Sequence, residues 1–227
     1  MKFVKLAAAV AALSIAGVAG AAQATVYNLS DPGGQSGLSG VFGTVEVTQT
    51  NAVLPGVNQL DFKVTLNQGL KIVDTGSHYA FSFALDGEPA VTLFAPGVFT
   101  LSHSEGGISN SPFSGFDYGI NCNAACGPGS NNPITTPITF SIRGSGLTES
   151  MLGTADTHNG NTIRFAMDTF QTLNCTGSCT AAVGGGILGD VINPNSGVPE
   201  TATWGMMIMG FGMVGMGLRL RRKTAAA

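Results

Sequence analysis

Charge is scarce in this chain, and positive charge scarcest of all. Asp, Glu, Lys and Arg make up 10% of its 227 residues. Between residues 25 and 200 the cations are Lys63, Lys71, Arg143 and Arg164, whereas all 13 acidic residues fall in that span. A surface this poor in Lys and Arg has little with which to neutralise phosphates, so nucleic acid is excluded as a partner. The acidic balance suits solubility outside a cell. Catalytic frameworks are missing too. There is no G-x-S-x-G, no H-E-x-x-H and no G-x-x-x-x-G-K-[ST], so the nucleophile elbow, the zinc-binding helix and the phosphate-cradling loop all lack their defining residues. No catalytic residue and no cofactor is implied, and the chain does not read as an enzyme.

What is present lies first at the two ends. The opening "MKFVKLAAAVAALSIAGVAGAAQA" sets Lys2 and Lys5 before an apolar stretch from Leu6 to about Ala19, followed by small residues at Ala22 and Ala24. That order of charge, apolar run and A-x-A is a secretory signal, with cleavage expected after Ala24. At the other end, Trp204 to Leu218 is uncharged and apolar apart from its glycines, and Arg219, Arg221, Arg222 and Lys223 follow directly. With Leu220 included, about 17 residues at 1.5 Å each reach about 25 Å, slightly under the roughly 30 Å hydrocarbon core. A single membrane helix over 204–220 is therefore expected, with Trp204 at the outer interface and the basic cluster on the cytoplasmic side. A eukaryotic lipid-anchor signal lacks such a basic finish, so the arrangement is bacterial.

The segment "VPETATWGMMIMGFGMVGMGLRLRRK" resembles the C-terminal sorting signal of PEP-CTERM proteins, in the variant that reads Pro-Glu-Pro, two residues, Trp, then "MMxxGFGxVGxxLRxRR". The match runs through Pro199, Glu200, Ala202, Trp204, Met206, Met207, Gly210, Phe211, Gly212, Val214, Gly215, Leu218, Arg219, Arg221 and Arg222, with Thr201 in the place of the second Pro. The resemblance covers 198–223 alone. It implies recognition by an exosortase, a membrane-embedded cysteine transpeptidase-like enzyme, followed by loss of the tail and release or attachment at the outer surface. It also implies a link to exopolysaccharide and biofilm matrix in Gram-negative bacteria. The physical logic agrees: the cations stall the chain, the apolar run parks it in the bilayer, and Pro199 keeps Val198 extended for a protease cleft.

Between the ends the periodicity is that of strands. "LDFKVTLN" alternates strictly, with Leu60, Phe62, Val64 and Leu66 on one face and Asp61, Lys63 and Thr65 on the other. Similar runs occur at 41–48, 79–85, 90–94, 138–143 and 163–169, separated by Gly, Pro, Asn and Asp. Many short strands without helical periods predict an all-β domain, an antiparallel β-sandwich or jelly roll. One brief helix is expected at 148–152, capped by Thr148. The chain thus divides into a signal peptide (1–24), an ectodomain (25–180), a Gly-rich linker (181–197) and a sorting signal (198–227). The run "FDYGINC", "TPITFSIRGSGLT", "IRFAMD" loosely resembles ectodomains carried by PEP-CTERM proteins, which implies a β-rich fold and no particular chemistry.

Four cysteines come as two copies of one pattern, "NCNAAC" with Cys122 and Cys126, and "NCTGSC" with Cys175 and Cys179. Export makes disulfides the default, and three connectivities are open. Local pairs are favoured because small residues close each loop; each contributes about 2 kcal/mol in the chain-entropy model. A four-thiolate zinc site is disfavoured by the C-x₃-C spacing and the oxidising compartment. His78, His103 and His158 read as loop or strand-edge residues, although a triad assembled in space would make a small hydrolase. Asp86 with Glu88, and Asp156 with Asn159 and Asn161, offer oxygens to calcium but lack the bidentate Glu of an EF-hand and read as turns. Tyr79, Phe113, Phe116 and Tyr118 would stack on sugar rings if exposed on one sheet face, but alternation places most of them in the core. The expected role is a non-catalytic surface or matrix protein, structural or adhesive; its partners are a processing enzyme, the membrane before processing and exopolysaccharide. A carbohydrate-binding module is the alternative.

Overall fold

The computed structural model describes residues 24–35, 37–95, 97, 99–122, 126, 132–173 and 180–188. They belong to one compact unit within Ala22–Ile192. The chain runs through β1 (Ala24–Asp31), β2 (Gly43–Leu54), β3 (Val57–Leu66), β4 (Leu70–Ile72), β5 (Phe81–Phe83), β6 (Val91–Phe94) and β7 (Thr100–Asn110). It continues through β8 (Phe113–Asn121), β9 (Ile138–Ser145), β10 (Asp156–His158), β11 (Asn161–Ile163), β12 (Phe165–Gln171) and β13 (Thr180–Leu188). The all-β, antiparallel class predicted from alternation is the one observed. Among the described residues there is no α-helix, and none is long and apolar enough to cross a membrane. The segments 1–23 and 198–227, with Ala22 and the expected span, lie outside the described residues. Ala24 opens β1, opposite Thr48.

Eleven strands form one sheet in the order β6-β9-β3-β2-β1-β13-β12-β5-β8-β7, with β4 also paired to β12. β10 and β11 make a separate hairpin. The sheet curls on itself, because Phe62 of β3 stacks on Phe140 of β9 (centroids 4.9 Å apart) and also meets Phe81 and Phe83 of β5 and Phe165 of β12. β3 and β12 are four places apart in the sheet, so these rings meet only if the inner face closes around them. The result is a nearly closed, barrel-like sheet with its two edge strands, β6 and β7, near one another. Leu60, Phe62, Val64 and Leu66 point inward as predicted. A second, smaller apolar cluster of Ile108, Phe113, Phe116, Ile163, Ala166 and Ala182 covers the other face of β12 and β13.

Two expectations are corrected. Residues 181–188 of the expected linker form β13, held between β1 and β12; residues 189–197 lie outside the described residues. Gly184 and Gly185 are there for contact: a Cβ on Gly184 would sit 3.0 Å from the Phe113 ring, and one on Gly185 would sit 2.5 Å from the Asn28 carbonyl oxygen. Glycine in a strand marks such close approach as readily as it marks freedom. The helix expected at 148–152 is a single 3₁₀ turn, Glu149–Met151, and Thr148 makes no side-chain cap. The Glu149 amide donates instead to the Gln49 side chain at 2.8 Å.

Candidate functional site

The inward alternation of β2, β3 and β9 leaves every second residue on the outer face, and the register aligns these into rungs. Glu46, Lys63 and Thr139 form one rung; Thr48, Asp61, Ser141 and Phe94 the next; Thr50, Gln59, Arg143 and Thr92 the third. Across the first two rungs lies an open groove of about 610 Å³, within the size range of small-ligand sites.

Its polar groups are tied to one another. Asp61 Oδ1 accepts from Gln59 Nε2 at 2.6 Å and Ser141 Oγ at 2.5 Å, and Oδ2 accepts from Thr50 Oγ1 at 3.3 Å. Arg143 Nε donates to Gln59 Oε1 at 2.5 Å while its guanidinium lies 4.0 Å from the Phe94 ring centroid. Lys63 Nζ bridges both oxygens of Glu46, at 2.9 and 3.1 Å. Each such surface pair is worth under about 1 kcal/mol, but together they hold the side chains in place. Phe94, on the edge strand, remains 45% exposed. None of these positions stands out in sequence, since the rungs draw on strands far apart in the chain; the outward phase of "LDFKVTLN" is the one signal that pointed here.

The three histidines lie apart from this groove and each faces a carboxylate. His158 Nδ1 is 3.0 Å from both oxygens of the buried Asp31, which also accepts from Asn161 Nδ2 and the Gly33 amide. Burial would raise the Asp31 pKa, but the hydrogen bonds from Asn161, Gly33 and His158 outweigh it and hold the carboxyl below its ordinary value. His78 Nδ1 is 3.7 Å from Asp168 Oδ1, too long for a hydrogen bond, while Asp168 Oδ2 accepts from the Thr75 amide at 2.6 Å and from the Thr75 hydroxyl. His103 lies 3.7 Å from Glu88 and packs on Tyr118. Among the described residues no serine or thiol is hydrogen-bonded to any of the three, so they are not brought together as a triad.

Cys122 and Cys126 form a disulfide, the local pairing expected of them; Cys175 and Cys179 lie outside the described residues. Asp74 sits 3.8 Å from Cys122 Sγ, and with the two sulfurs makes the group of donors closest to metal-binding distance among the described residues. Sulfurs joined to each other are not the thiolates that a metal requires. Burial and the nearby Asp168 charge raise the Asp74 pKa, against the Cys122 amide and His78. Of the oxygens weighed for calcium and read as turns, Asp156 accepts from the Ser114 and Thr157 amides, Asn161 donates to Asp31, and Asn159 takes a positive φ in the hairpin turn. Phe113, Phe116 and Tyr118 are buried and Tyr79 packs against the second apolar cluster, so among the described residues the exposed aromatic ring is Phe94 instead. Comparison of the chain with protein-family models, with curated proteins and with solved structures finds no match.

Proposed function

We propose that this chain is an exported, non-catalytic surface or extracellular-matrix protein, sorted through a PEP-CTERM/exosortase-like route. The observation that carries the reading is the ordered tail: Val198, Pro199 and Glu200, then Trp204, an apolar run, and Arg219, Arg221 and Arg222. The chain is held transiently in the membrane with its C-terminus in the cytoplasm, and an exosortase-like enzyme removes the tail. The ectodomain, a nearly closed, barrel-like sheet, then serves as a rigid adhesive or structural unit at the cell surface or in exopolysaccharide. In keeping with an adhesive role, the outer face carries an open groove lined by fixed polar side chains and the half-exposed Phe94. Fractionation of a host with and without its exosortase tests the route. The chain is expected outside the wild-type cell and in the membrane of the deletion strain; the same location in both strains removes the proposal.

The carbohydrate-binding alternative is favoured by one specific observation: a partly exposed aromatic ring stands beside a fixed row of hydroxyl, amide and carboxylate groups.

A further inference from the structure

We infer that the outer groove over β2, β3, β9 and β6 is a binding site for an uncharged polysaccharide. The inference rests on the adhesive reading above and names the partner of that face.

The first argument is charge. The groove region holds two anions, Glu46 and Asp61, and two cations, Lys63 and Arg143: Glu46 pairs with Lys63 at 2.9 Å, while Asp61 and Arg143 are each hydrogen-bonded to the Gln59 amide that stands between them. The two signs therefore balance within the groove region, which presents no field of one sign to a ligand. A polyanion or polycation would have to break these pairs, whereas a neutral chain of hydroxyl groups need not. Charge complementarity thus selects an uncharged partner.

The second argument is the kind of polar group. Asp61 holds two donors on Oδ1 and one on Oδ2, and a carboxylate has about four acceptor positions. It therefore retains capacity for a ligand hydroxyl. Thr139 and Thr48 add hydroxyls that both donate and accept. Such groups suit a sugar ring, each of whose hydroxyls also donates and accepts. Because the network already fixes the side chains, little rotamer freedom remains to be lost on binding.

Phe94 supplies the apolar element. Arg143 covers one part of the ring at 4.0 Å and fixes its orientation, yet 45% of the residue is still exposed. An isolated exposed Phe needs no explanation; one held by an Arg at the rim of a polar groove offers a platform for the apolar face of a pyranose. The groove is open, so a polymer can pass through without a chain end.

The test uses the full chain recovered from outside the host cell, electrophoresed through native gels containing hydroxyethyl cellulose, mannan or galactan, with alginate as the polyanion and a gel without polysaccharide as reference. Wild type is expected to be retarded by at least one neutral polymer and not by alginate, with the retardation kept at high salt. Phe94→Ala and Asp61→Asn should each weaken binding about tenfold, while Leu173→Ala, an exposed residue away from the groove, should bind as wild type. Thermal unfolding of each variant controls for folding, and Phe94 is exposed enough for its removal to leave the core intact. Retardation by alginate alone, no retardation by any neutral polymer, or unchanged binding by folded Phe94→Ala would overturn the inference. Loss of glycan binding by a chain that still reaches the surface leaves the sorting proposal standing; a chain that never leaves the cell defeats that proposal instead.

Discussion

The buried carboxylate of Asp31, at the end of β1, faces His158 Nδ1 at 3.0 Å and so fastens the β10–β11 hairpin to the curled sheet. The Phe113 ring meets His158 edge-on, with centroids 5.1 Å apart, which links this polar contact to the second apolar cluster. The arrangement has a consequence for pH. The Asp31 pKa is depressed in the folded chain, so its contribution to stability is present above the unfolded value of about 3.9 and is lost as the pH falls through the folded value. Asp31→Asn would place an amide NH₂ against the Gly33 N–H or the Asn161 NH₂. It should cost about 2 kcal/mol at pH 7, and the gap from wild type should narrow below about pH 4. Denaturant unfolding at a series of pH values measures both.

Asp74 predicts the opposite sign. Its pKa is raised by burial and by Asp168, so the stability linked to it is present below the unfolded value and is lost as the pH rises through the folded one. At pH 7 the ionised carboxylate is a liability. Asp74→Asn keeps an oxygen for the Cys122 amide and removes the repulsion, so its Tm should exceed that of wild type at pH 7 and match it at about pH 3. A lower Tm at pH 7 would show that the charge is needed.

The packing of β13 gives a third test. A Cβ at Gly185 would press on the Asn28 carbonyl oxygen and on Leu29 Cα at 2.8 Å, both backbone atoms of β1. Gly185→Ala should therefore destabilise the fold by about 1–3 kcal/mol. Gly97→Ala, where a Cβ would meet nothing within 4 Å, should leave Tm unchanged. Equal Tm values for the two variants would return this stretch to the role of a linker.

These residues also indicate what was legible before the fold was known. β3 and β9 could be read directly because one face is core and the other is water, so apolar and polar residues alternate. Alternation places most of Tyr79, Phe113, Phe116 and Tyr118 in the core without saying which, and Phe113, Phe116 and Tyr118 are the buried ones. β13 was read as a linker because its glycines and alanines pack without large side chains, and composition alone does not separate that from flexibility. β1, β7 and β8 also fall outside the runs read as strands. The pairing of β7 with β8 is broken by register shifts around His103 and Ile108, which blur a period of two. The groove was invisible for a different reason. Phe94, Asp61 and Ser141 become neighbours only through the order β6-β9-β3, and strand order is a property of the whole chain.

Arg221 and Arg222 test the tail. Replacing both with Glu removes cations that hold the C-terminus inside, and acids contribute little to orientation. The double variant should show impaired retention and poor processing near Pro199–Glu200, with ectodomain stability equal to wild type. Peptide mass spectrometry of the exported protein gives the answer, and wild-type trimming would show that the pair is not needed.

The most direct measurement is the intact mass of the chain recovered from outside the host cell. The account predicts a species that begins at Thr25, ends close to Pro199–Glu200 and contains the Cys122–Cys126 disulfide together with the second local pair expected of Cys175 and Cys179, and it predicts that the tail through Lys223 is retained when the exosortase gene is deleted. An exterior protein that keeps Trp204 to Lys223 in the wild-type host, or one trimmed identically without the exosortase, would contradict it.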